Sequence, residues 1–174
     1  MLINRFCRFY IDVIRSMPLI SILFFGQLLI PLFLPTDIEI NRFIRAALAF
    51  GIFSAAYVAE DVRGGLQSIP PTQYEAAKVL GLSSWQVLQL VVIPQALKIA
   101  LPALTNQAIG LLQNTSLMSL LGLVELLGIS RSILANPEFI GRYLEVYVWL
   151  AVVYWFICTL MALLSRHIEK QLDP

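Results

Sequence analysis

The sequence predicts an all-α fold: a multi-span transmembrane helical bundle forming one domain over residues 1–174. Three observations predict it. Of the residues, 59% are hydrophobic and 13% charged, against roughly 45–50% apolar and about 25% charged in soluble domains, and the mean hydropathy is +0.79. Uncharged apolar runs recur along the whole chain. Lys and Arg favour alternate connecting segments, as they do where loops lie on the two sides of a bilayer.

The opening residues do not form a cleaved leader. Arg5 and Arg8 look like a basic n-region, but Asp12 and Arg15 interrupt the apolar stretch and no small-residue cleavage site follows. Between Arg15 and Asp37 lie 21 residues without formal charge. About 20 residues cross a hydrocarbon core of roughly 30 Å, so a span is predicted at about 17–35. The run Ala46–Ala59 has only 14 residues. It reaches spanning length, about 43–62, if Arg45 and Glu60 sit at the interfaces and Arg42 or Arg63 snorkels. Ile99–Val124, 26 residues with Pro102 and several amides, spans with tilt or ends in a broken turn near Gly122. Val146–Ser165, 20 residues, gives the last span, about 145–165.

Four spans put both termini on one side. That side holds eight basic residues (Arg5, Arg8, Arg15, Arg63, Lys78, Lys98, Arg166, Lys170), and the other holds four (Arg42, Arg45, Arg131, Arg142). The bias predicts cytoplasmic termini and a cytoplasmic central loop. The outer pieces, Pro35–Asn41 and Ser130–Arg142, are short, the second with a turn signal at Asn136-Pro137. A net charge of +1 gives no hint of a nucleic-acid surface. Cys7 and Cys158, two isolated thiols, suggest no disulfide framework.

The central loop, about 63–98, carries the most information. Pro70-Pro71 stops what precedes it. Thr72-Gln73-Tyr74-Glu75 has the form of a capping box, and Gly81 suits a left-handed helix end. A second capping box, Ser83-Ser84-Trp85-Gln86, opens a helix of about ten residues with Trp85, Leu88 and Val92 at helical spacing and Pro94 closing it. Such a helix is too short and too polar to span. One reading is a rigid knuckle facing a cytoplasmic partner, with Ala76 and Ala77 permitting close approach, Gly81 the reversal, and Glu75 a charge for a partner cation. The other is an interfacial helical hairpin with no partner.

Glu75-Ala76-Ala77-x-x-x-Gly81, nine residues, then Val91-x-Ile93-Pro94 resembles the EAA loop of ABC transporter permeases. Arg15-Ser16-Met17-Pro18-Leu19 looks like the R-G-T-P-L entry to a span in the polar amino-acid uptake permeases. Segments Ala56–Glu60, Arg63–Pro70, Pro94–Pro102 and Asn114–Leu117 are similar to the regions flanking that loop. The resemblance implies a multi-pass permease subunit of the bacterial cytoplasmic (inner) membrane. It implies docking to an ATP-binding subunit through Glu75, Ala76, Ala77, Gly81 and Pro94, with two such subunits beneath two permeases, identical or related. An extracytoplasmic substrate-binding protein would deliver an amino acid. Closure of the ATP-binding subunits would rock the spans between inward-open and outward-open states. Such permeases usually have five spans, with the N-terminus outside. The expectation here is a chain lacking the first: a fragment, a truncated product or a mis-started frame. The family often has Lys where Gln113 stands, so no charge role is carried to that position.

No chemistry of the chain's own is expected. There is no G-x-x-x-x-G-K-[ST] phosphate loop and no G-x-S-x-G elbow, and one histidine with two distant cysteines cannot build a zinc site. His167 reads as an interfacial anchor. No cofactor is expected, and ATP hydrolysis falls to a partner. Asn106, Gln107, Gln113, Asn114, Thr115 and Ser116 are candidate translocation-pathway residues, because polar groups in a bilayer tend to face a bundle interior or a water-filled cavity. They also suit interhelical hydrogen bonding. Glu125 suits an interface anchor or a charge near a gate. A channel or carrier without ATP, and a membrane scaffold recruiting a soluble partner, are the rival functions; the EAA spacing favours the ABC importer.

Overall fold

The computed structural model describes residues 2–35 and 39–172, and all of its regular elements there are helical. In order they are α1 (Leu2–Ser16), α2 (Leu19–Phe33), α3 (Arg42–Gln67), α4 (Pro71–Val79), α5 (Ser84–Val87), a π-helical segment (Leu88–Val92), α6 (Ile93–Asn114), a 3₁₀ segment (Thr115–Leu121), α7 (Leu126–Leu134), a 3₁₀ turn (Pro137–Phe139) and α8 (Tyr143–Leu172). Residues 36–38 of the predicted outer loop Pro35–Asn41 lie outside the described residues.

Three helical stretches among the described residues are long and apolar enough to cross a membrane: Arg42–Gln67, Ser84–Leu121 and Tyr143–Gln171. They overlap the second, third and fourth predicted spans, the middle one beginning at Ser84 and not near residue 99. The first is different. α2 has only 15 residues, roughly 22 Å at 1.5 Å per residue, is continued by extended backbone at Leu34, and is bent by 102° from α1. The bend falls at Met17-Pro18, where proline supplies no N–H and biases its predecessor away from the helical region.

α2 and α3 pack through Leu19, Ile22, Leu23, Ala49 and Phe53, with Leu117 and Leu121 of the 3₁₀ segment against them. A polar clamp ties the same two helices. Pro31 lies inside α2, so the Gln27 carbonyl four residues earlier lacks its intrahelical donor. The Arg45 guanidinium supplies one, Nη1 donating to Gln27 O at 2.7 Å, while Gln27 Nε2 donates to Arg42 O at 2.7 Å. Asn41 caps α3, its Oδ1 accepting from Phe43 N at 2.8 Å.

α6 and α8 run antiparallel, since Thr105 meets Ser165 and Gln113 meets Cys158. Thr105 Oγ1 and Ser165 Oγ share a hydrogen bond, Ser165 also donates to Glu169 Oε1 at 2.9 Å, and Gln113 Nε2 donates to Cys158 Sγ at 3.8 Å. The long third helix ends as expected near Gly122: it tightens to 3₁₀ at Thr115, and Gly122 turns left-handed at φ 71°. Glu125 has a structural task whatever else it does. It is the N-cap of α7, its carboxylate accepting from Leu127 N and Gly128 N at 2.8 Å each, and Tyr154 of α8 donates to it at 3.5 Å.

Candidate functional site: the knuckle between α3 and α6

The segment from Ile69 to Ala96 folds on a small core of its own. Ile69, Ala77, Val87, Val92 and Ala96 are buried together, with Leu66, Tyr74, Leu82, Leu88 and Val91 packed around them. Helices of nine and four residues are marginal alone; this shared core holds them.

The first helix starts earlier than the sequence suggested. Pro70 occupies the N-cap and Pro71 the first turn, with no side-chain cap bond. A proline at the first helical position costs no hydrogen bond and presets φ. Thr72 therefore falls inside the helix, and the predicted Thr72–Glu75 capping box does not form. The helix ends as predicted. Gly81 has φ 83°, its N–H donates to Lys78 O at 2.9 Å, and Leu82 N–H donates to Ala77 O at 3.2 Å. This pair of bonds with a left-handed glycine is a Schellman end.

The second capping box does form. Ser83 Oγ accepts from Gln86 N at 3.4 Å, and Gln86 Oε1 accepts from Ser83 N at 2.9 Å. Pro94 does not close the helix that follows, contrary to expectation. The turn widens over Leu88–Val92, with Ile93 N–H donating to Leu88 O five residues back, and the helix continues as α6 through Pro94 in its first turn. A π-turn accommodates a residue that has no N–H and crowds the carbonyl four back. The knuckle's second arm is thus rigidly continuous with a membrane-length helix.

Where the knuckle meets α3, Gly65 is buried so closely that an added Cβ would lie 2.4 Å from Ala96 O and 3.1 Å from Ala100 Cβ. Only glycine permits this approach. The segment Arg63–Pro70 contains Gly65, but its resemblance does not reveal this role; a glycine facing two alanines across helices is the signal that could have found it.

The predicted docking residues separate into two groups. Glu75, Ala76 and Gly81 lie exposed on the knuckle, and Pro94 is exposed at its root, whereas Ala77 is buried in the core. Ala77 thus brings the knuckle's own parts together. Sequence reasoning missed the apolar tip: Val79 is 87% exposed, Leu80 81% and Trp85 63%. Of the candidate pathway residues, spacings of one and seven put Asn106, Gln107, Gln113 and Asn114 on one side of α6. Asn106 and Gln113 are exposed there and Gln107 and Asn114 half-buried. Thr115 and Ser116 begin the 3₁₀ segment, and their hydroxyls donate back to Leu112 O and Gln113 O.

The sequence pattern of a family described as binding-protein-dependent transport system inner membrane component matches residues 2–174. The chain is 40% identical over 164 residues to the inner membrane amino-acid ABC transporter permease protein YhdY of Escherichia coli strain K12, covering 94% of this chain and 45% of that protein. It is 38% identical over 163 residues to the glutamate/glutamine/aspartate/asparagine transport system permease protein BztC of Rhodobacter capsulatus, covering 93% of this chain and 38% of that one. The chain thus spans less than half the length of these two curated relatives. A crystal structure of an amino acid ABC transporter with histidines superposes with a TM-score of 0.81 at 33% identity, covering 93% of this chain and 73% of that one.

Proposed function

The chain belongs to the binding-protein-dependent transport system inner membrane components, and from that premise we propose that it is the permease subunit of an ATP-driven amino-acid importer whose knuckle is gripped by a separate ATP-binding subunit. A membrane component of this family is a multi-pass protein of the cytoplasmic membrane and is not itself a catalyst. The observation that carries the docking proposal is the knuckle's construction. An internally packed, doubly capped projection presents Val79, Leu80 and Trp85 to solvent beside Glu75 and Ala76. Exposed apolar side chains grouped on a rigid tip, with polar neighbours, suit a protein interface.

The mechanical consequence follows from the continuity of α5, the π-turn and α6. A force on the tip is delivered to a membrane-length helix without a flexible joint, and Gly65 couples the same movement to α3. Paired knuckles brought together by ATP-driven closure would therefore rock α3 and α6 as bodies. Asn106, Gln107, Gln113, Asn114 and Thr115 would then line the path at an interface with a second permease, identical or related. Delivery by an extracytoplasmic substrate-binding protein is supported by the family's description, and an amino acid as cargo by the names of YhdY and BztC. The spans about 17–35, 43–62, 99–124 and 145–165, with cytoplasmic termini, complete the proposed topology.

Co-expression of the chain with its ATP-binding subunit tests the proposal. Leu80→Asp alters only an exposed side chain, so the chain should fold and insert normally while losing the ATP-binding subunit on co-purification and losing amino-acid uptake. Undiminished co-purification and uptake would refute docking through this tip.

A further inference from the structure

α1 carries none of the candidate docking or pathway residues, yet three contacts tie it to the rest of the chain. Tyr10 hydroxyl donates to Ile52 O on α3, Arg15 pairs with Glu60 at 3.4 Å, and Ile14 packs on the α2–α3 core. Tyr10 and Ile14 lie on the edge next to the helix's apolar stripe, and Arg15 lies on the charged side. Leu2, Phe6, Phe9 and Val13, at spacings of four, three and four, form an apolar stripe that nothing among the described residues covers, Phe6 being 72% and Phe9 68% exposed. Arg5, Arg8, Asp12 and Arg15 occupy the opposite arc, giving a strongly amphipathic helix of low net hydrophobicity.

This pattern of aromatic and aliphatic residues on one face and arginines on the other fits a lipid headgroup boundary, where the first enter the acyl layer and the second meet phosphates. The bend fits it too. At 102° from α2, α1 lies across the direction in which α2 enters the bilayer. Its two polar contacts bracket its level on α3, Tyr10 reaching Ile52 and Arg15 reaching Glu60, so α1 crosses α3 from its middle toward the end that leads to the knuckle.

We propose that α1 is an interfacial helix lying in the headgroup–acyl boundary of the cytoplasmic leaflet, with Leu2, Phe6, Phe9 and Val13 among the acyl chains and Arg5 and Arg8 at lipid phosphates. The choice of leaflet rests on the proposed orientation; the interfacial position does not. α1 then fixes the depth of α2 and α3 in the bilayer through Tyr10 and Arg15.

Single spin labels test it. In a Cys7→Ser, Cys158→Ser background, cysteines are placed in turn at Leu2, Phe6, Phe9, Val13, Arg8 and Asp12. The chain, assembled with its ATP-binding subunit, is reconstituted in vesicles of phosphatidylethanolamine and phosphatidylglycerol. Labels on the apolar stripe should collide severalfold more with oxygen than with a water-soluble nickel chelate, and labels at Arg8 and Asp12 should show the reverse. Low collision with both reagents at Phe6 and Phe9 would mean that protein covers the stripe. High nickel collision at every position would mean that α1 lies in water. Either result overturns the proposal.

Discussion

The knuckle and α8 are built on opposite terms. The knuckle, less than thirty residues of short helices, buries Ile69, Ala77, Val87, Val92 and Ala96 against one another and caps both its arms. α8 has 30 residues, and only 6% of its most apolar window is buried. Its ties to the rest of the chain include polar pairs, Thr105–Ser165 with α6 and Tyr154–Glu125 with α7. The difference teaches where shape comes from. In water a projection must carry its own core. In lipid, where tails are as apolar as leucine, a helix gains little from burying its side chains against another and is positioned by a few hydrogen bonds and by its surroundings.

Substitutions should divide along that line. The largest effect is expected at Gly65, because a Cβ there strikes the Ala96 carbonyl, a backbone atom that cannot step aside. Gly65→Val should cost about 3 kcal/mol or more, read as a sharp fall in the melting temperature of the purified protein. A Gly65→Val protein as stable as the parent would erase the distinction between the two regions.

Arg45 comes next. It substitutes for the donor that Pro31 lacks, so Arg45→Ala should cost roughly 1.5–3 kcal/mol, the range for a hydrogen bond to a charged group. Pro31→Ala should relieve much of that cost by returning an N–H to Gln27 O. Thermal melts of the two single variants and the double variant measure this; strict additivity would exclude the substitution of one donor by the other. Gly81→Val forces a β-branched residue to φ 83°, costing about 1–2 kcal/mol, and should reduce co-purified ATP-binding subunit while leaving the spans inserted. Ser165→Ala, in α8, should be the mildest, near 0.6 kcal/mol. A loss there as large as at Gly65 would show that α8 is specified from within after all.

The same contrast marks what could be read from the sequence. Three of the four spans were legible because a bilayer imposes length and apolarity on consecutive residues, and Gly81 and the Ser83–Gln86 box were legible because both are local chemistry. Pro94 misled, because proline's cost depends on whether the preceding turn can widen, and Leu88–Val92 does so. Thr72 misled because two prolines before it already began the helix. At α2 the uncharged run overstates the helix, since the run continues past Phe33 while the helix does not. Ala77 stands out in the sequence as a docking residue and Leu80 does not, but Ala77 is 4% and Leu80 81% exposed. That assignment depends on Ile69 and Val87 arriving from elsewhere.

Photo-crosslinking from the tip tests the central claim most directly. A benzophenone amino acid at Leu80, in membranes containing the ATP-binding subunit, should give one dominant adduct with that subunit, and the same probe at exposed Ile140, in the turn between α7 and α8, should give none. Adducts from Leu80 with lipid or with an extracytoplasmic protein, and none with the ATP-binding subunit, would contradict the account.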